Sequence, residues 1–65
     1  MAKDTYATLT EGQRRAVFLA LVTKQDRGME VMLSRQQVAR KFKLSVEDVK
    51  RIEEEGLEAE WPPLG

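Results

Sequence analysis

With 65 residues, of which 42 % are hydrophobic and 34 % charged, the chain has room for one domain, whose fold would bury only about 60 % of the unfolded chain's surface. It contains no Cys and no His, which excludes a disulfide staple and any thiolate or imidazole metal site and points to a reducing compartment. Eleven basic side chains balance eleven acidic ones, but unevenly: residues 1–46 hold nine basic and four acidic groups, whereas residues 47–65 hold two basic and seven acidic. A basic body that can face phosphate and an acidic C-terminal strip follow from that split.

Residues 1–8 carry no periodic pattern and read as a flexible lead-in, with Tyr6 able to cover an edge of the core. Thr10, three residues before Gln13, has the spacing of a capping box and opens a first helix expected over about 11–25. In that box the hydroxyl takes a backbone N–H of the first turn and the Gln amide reaches back. Val17, Phe18, Leu21 and Val22 form the apolar stripe of this helix, flanked by Ala16, Leu19 and Ala20. The stripe is wider than one partner helix needs, so it either packs on both later helices or leaves apolar surface for another protein.

Gly28 is expected to cap that helix at its C-terminus, and Met29, Val31, Met32 and Leu33 to seat the following connection on the core. Met-rich surfaces also adapt to partners, which makes Met32 a candidate contact. Ser34 with Gln37, and more weakly Ser45 with Asp48, repeat the capping-box spacing. They predict two short helices, over 35–42 and 46–55, joined by a turn at Lys43 and Leu44, with Gly56 as the stop. Val38, Ala39 and Phe42 face inward from one, Val49 and Ile52 from the other, and the small Ala39 permits close crossing. The segment 58–65 reads as an acidic tail in which Trp61, followed by two prolines, leaves the helix. Trp61 either folds back as a lid on the core or, with Phe18 and Met32, anchors a partner.

The expected fold class is therefore all-α: a small three-helix domain over 9–57 with a helix-turn-helix and an extended C-terminal tail. No apolar run approaches a membrane span, and the opening MAKDTYATL lacks the apolar core of a signal peptide. The chain is expected to stay in a prokaryotic cytosol or nucleoid. Without His, Cys or a Gly-rich phosphate loop, and with carboxylates on a helix surface, neither catalysis, a cofactor nor a small-molecule substrate is expected.

From Leu9 to Leu57 the sequence resembles the C-terminal, promoter-recognising region of bacterial sigma factors. The matching residues are Leu33, Ser34, Gln36, Gln37, Val38, Ala39 and Phe42, then Ser45, Glu47, Val49, Lys50, Ile52 and Glu53. A second, less extensive resemblance, through VARKFKLSVEDVKRIEEEGL, is to MerR-type and excisionase-type domains, although WPPLG is too short for their wing. The resemblance implies a DNA-binding module of transcription regulation, with Ser45, Glu47, Lys50 and Arg51 toward bases and Arg35, Arg40, Lys41 and Lys43 toward phosphate. Val46 and Asp48 stand where that family often carries Arg. The alternative is a protein-interaction module of the same fold that binds RNA polymerase or another regulatory protein. One such module reads few base pairs, so a homodimer or a tether to polymerase would supply the remaining specificity. Glu53, Glu54, Glu55, Glu58 and Glu60 form an acidic run that either repels nucleic acid or meets a basic partner.

Overall fold

A computed structural model describes residues 5–64; the first four residues of the expected lead-in and the final glycine of the tail lie outside that range. Four helices follow in order: α1 (Thr5–Thr8), α2 (Glu11–Asp26), α3 (Val31–Phe42) and α4 (Val46–Ala59), with no strand among the described residues. The lead-in thus contains a helical turn. The molecule is a small all-α domain in which α2, α3 and α4 pack pairwise and α1 lies against α4.

The starts of α2 and α4 follow the expected capping chemistry. Thr10 Oγ1 accepts from Gln13 N at 3.1 Å, and Gln13 Oε1 accepts from Thr10 N at 2.8 Å. Ser45 Oγ accepts from Asp48 N at 3.0 Å, while the shorter Asp side chain reaches Ser45 N only at 3.5 Å. The Ser34 box does not form. Helix α3 begins a turn earlier, after Glu30, and Ser34 lies fully buried inside it. Its hydroxyl donates to Val31 O at 2.6 Å and accepts from Gln25 Nε2 at 3.1 Å, satisfying within the fold what a cap would have used at a helix end.

The three long helices end alike. After α2, Gly28 adopts φ +92°, Gly28 N donates to Gln25 O and Met29 N to Lys24 O. After α3, Lys43 (φ 58°) donates to Arg40 O and Leu44 to Ala39 O; after α4, Glu60 (φ 53°) donates to Leu57 O and Trp61 to Gly56 O. Each pair is the 5→2 and 6→1 pattern of a Schellman turn, which satisfies the last carbonyls and reverses the chain. Leu44 and Trp61, each just past the left-handed residue, are thereby folded onto the core.

Val17, Phe18, Leu21, Val38, Ala39, Val49, Ile52 and Trp61 form that core, with Tyr6, Leu9, Ala20, Val22, Phe42, Leu44 and Val46 packed around it. Trp61 is the lid rather than a partner anchor: it is 5 % exposed and meets Phe18 edge-on, with centroids 6.0 Å apart at 81°. Such a pair contributes about 0.5–1.5 kcal/mol beyond its area burial. Gly56 does not stop the helix. It is buried within α4, where an added Cβ would overlap the Phe18 ring, so glycine is required by close approach of α2 and α4 rather than by a turn. Val31, Met32 and Leu33 do not seat a loop on the core; they are helical and 47 %, 47 % and 45 % exposed.

Two glycine substitutions should act in opposite directions. Gly56→Ala should destabilise the fold by about 1–3 kcal/mol through overpacking against Phe18. Glu60→Gly should stabilise it by about 0.5–1 kcal/mol, because it removes left-handed strain at a partial cost in unfolded-chain entropy. Urea denaturation followed by circular dichroism measures both; a stabilised Gly56→Ala would refute the close approach.

Candidate nucleic-acid interface

The face that the sequence assigns to DNA is built on the end of α3, the turn at 43–45 and the outward row of α4. Helix α4 turns Val49 and Ile52 into the core, which leaves Glu47, Lys50, Arg51, Glu54 and Glu58 on its exposed side. Of the four residues expected to face bases, Glu47 and Lys50 are exposed there. Ser45 is exposed as well, but its oxygen is occupied by the cap. Arg51 is exposed with its guanidinium carbon 4.1 Å from the centroid of the Tyr6 ring. Asp48 serves the same cap, and Val46 packs against the core instead of pointing outward.

The phosphate-facing set divides. Arg40, Lys41 and Lys43 are exposed within four residues of one another, and Lys41 Nζ lies 5.7 Å from the Phe42 ring centroid. No ion pair among the described residues engages Arg40, Lys41, Lys43 or Lys50. Arg35 does not belong with them. Its Nη2 lies 2.7 Å and its Nε 2.9 Å from Glu53 Oε1, and both side chains are four-fifths or more covered. Gln25 Nε2 donates to the other Glu53 oxygen at 3.3 Å, so Gln25, Ser34, Arg35 and Glu53 tie α2, α3 and α4 together at one place.

A second tie was not legible from spacing. Arg14 Nε lies 2.8 Å from Glu55 Oε1 and Arg14 Nη2 3.2 Å from Glu55 Oε2, while Arg14 Nη1 donates to Leu9 O at 2.7 Å. The Tyr6 hydroxyl donates to Glu55 Oε1 as well. Burial would push the Glu55 carboxyl up, but the hydrogen bonds from Tyr6 and Arg14, with the Arg14 charge, outweigh it and hold the group below its ordinary 4.5. The same bond from Tyr6 to Glu55, followed by burial, raises the phenol above 10. Two members of the acidic run, Glu53 and Glu55, therefore hold the fold together, and Glu54, Glu58 and Glu60 remain as its exposed part.

Among the residues expected to meet a protein partner, Phe18 and Trp61 are buried core residues. Met32 is exposed together with Val31 and Leu33, and Leu19, Leu57 and Leu64 are about half exposed elsewhere. A half-open groove of about 320 Å³ is lined by Leu9, Gln13, Val17, Phe42 and Leu44, next to the basic turn in sequence. Among the described residues no group of three or more acidic side chains is placed to hold a metal ion, and no helix is long and apolar enough to cross a membrane.

The depressed Glu55 carboxyl fixes the sign of a pH effect. Its contribution to stability is complete above the unfolded-chain value near 4.5 and is lost as pH falls through the lower folded value. Glu55→Gln should lower the melting temperature at pH 7 and flatten its decline below about pH 4.5 relative to wild type. Thermal melts between pH 3 and pH 7 check this, and parallel curves for the two proteins would contradict it. Comparison of the chain with protein-family models, curated proteins and solved structures finds no match.

Proposed function

We propose that this chain is a small helix-turn-helix module that binds double-stranded DNA in transcription regulation, mainly through phosphate. The observation that carries the reading is the group of exposed cations at the α3–α4 turn, Arg40, Lys41 and Lys43, joined by Lys50 on the outward side of α4. Sequence reading by α4 is modest: Glu47 can accept from a cytosine amino group and Lys50 can donate to guanine, but Glu54 and Glu58 follow on the same row. A homodimer, or a tether to polymerase, would extend the site to a useful length. The resemblance to the promoter-recognising region of sigma factors supports the same reading, and with it a prokaryotic cytosol or nucleoid as the proposed setting.

A second reading is favoured by one specific observation. Val31, Met32 and Leu33 present apolar surface on the first turn of α3, as a module that docks on RNA polymerase or another regulatory protein would. It would use residues distinct from the basic turn, so the two readings separate by mutation.

Fluorescence anisotropy of a labelled random duplex should show saturable binding whose constant falls as about the third to fourth power of salt between roughly 50 and 200 mM. Changing Arg40, Lys41, Lys43 and Lys50 together to Gln should abolish it. Arg35→Ala should leave the salt slope unchanged while costing about 1–3 kcal/mol of stability, since it strands Glu53 without its charged partner. Absence of duplex binding at the lowest salt, with Met32→Glu abolishing capture of polymerase, would favour the second reading.

A further inference from the structure

We propose that the groove lined by Leu9, Gln13, Val17, Phe42 and Leu44 binds an acidic peptide segment of a partner protein, taking one bulky apolar side chain while Lys41 and Lys43 meet the flanking carboxylates. The inference goes beyond the DNA-binding reading and does not require it. At about 320 Å³ the groove lies at the small end of the range for ligand sites, which suits a side chain rather than a large molecule. Val17, 1 % exposed, forms its floor. Leu9, Phe42 and Leu44 pack against the core and still line an open concavity, so they leave apolar surface to water that an incoming side chain can cover. Gln13 is exposed beside them; its oxygen accepts from Thr10 N, so the amide offers a partner chiefly donors.

The charge around the groove selects the occupant. Residues 39–46 hold the cations Arg40, Lys41 and Lys43 and no carboxylate. Lys43 stands between the lining residues Phe42 and Leu44, and Lys41 Nζ lies 5.7 Å from the Phe42 ring centroid. Neither lysine is in an ion pair among the described residues. Of the carboxylates closest in sequence to the lining residues, Asp48 is held in the Ser45 cap. Glu11 pairs with Arg15 at 2.9 Å and lies about 200° round α2 from Gln13. An apolar slot edged by lysines and amide donors complements a segment whose apolar side chain is flanked by Asp or Glu. The buried side chain supplies affinity, and the charges steer and select. Because Lys41 and Lys43 also belong to the proposed DNA face, peptide and duplex exclude one another there.

The experiment measures anisotropy of fluorescein-labelled peptides against the full chain without DNA. The first carries one Phe among Asp and Glu residues, the second replaces that Phe with Ser, and the third keeps the Phe among Asn and Gln. The first should bind, the second about tenfold or more weaker for want of the apolar anchor. The third should bind about three- to tenfold weaker for want of its charges. Two variants keep the fold while changing the site: Lys43→Gly suits the left-handed residue after α3, and Gln13→Glu retains the capping box while adding a negative charge to the groove. Each should weaken the first peptide several-fold, with helix content unchanged by circular dichroism. Amide shifts on peptide addition should include Leu9, Gln13, Val17 and Leu44. Equal binding of the first two peptides, or shifts confined to the cations, overturns the proposal. No binding of any peptide overturns it as well; self-association in sedimentation that Lys43→Gly abolishes would then assign the groove to a second copy. Peptide binding without duplex binding sustains the proposal and defeats the DNA reading, and the converse defeats the proposal alone.

Discussion

The contact on which the rest of the fold depends is the enclosure of the Phe18 ring by the Gly56 backbone of α4 and the ring of Trp61. A chain of this length, without disulfide or His/Cys metal ligand, depends on its small apolar core, and Phe18 has no exposed surface at all. Only a residue without a Cβ lets α4 come this close to α2. Because α4 runs on to Ala59, the reversal at Glu60 occurs at the position that returns Trp61 to the same ring. Helix α3 is then fixed against the pair by its buried Ser34 and by Arg35, both tied to residues of the other helices.

Charge is sorted by the same packing. Summed along the chain, the basic and acidic halves look like two opposed faces, yet the strongest pairs join them internally. Arg14 and Arg35 from the basic half are drawn to Glu55 and Glu53 from the acidic half, on the covered sides of the helices. These partly buried pairs act chiefly as fixed contacts between helices, since removing either partner would strand a charge. What remains for interactions is narrower than composition implies: the turn cations with Lys50, the exposed glutamates of α4, and the apolar first turn of α3.

The sequence made legible whatever is set by neighbours a few residues apart. The Thr10–Gln13 and Ser45–Asp48 boxes, the stripe of α2, the left-handed Gly28 and the turn before α4 all depend on local chemistry. Contacts between distant residues were not legible. Ser34 has the spacing of a cap, but Gln25 reaches it from another helix and makes it an interior residue. Gly56 has the look of a stop, but its smallness answers to Phe18, 38 positions earlier in the chain. In the candidate site, Arg40, Lys41, Lys43 and Lys50 stayed exposed as expected, whereas Arg35 was claimed by Glu53 and Arg51 by Tyr6, choices that no local pattern encodes.

The central claim is that the basic turn and the outward side of α4, and not the apolar start of α3, form the working surface. Its most direct test is a two-dimensional amide NMR titration of the protein with a short duplex at low salt. The account predicts progressive shifts at Arg40, Lys41, Lys43, Glu47 and Lys50, with Val31, Met32 and Leu33 unmoved. Shifts confined to Val31, Met32 and Leu33, or none at any duplex concentration, would contradict it.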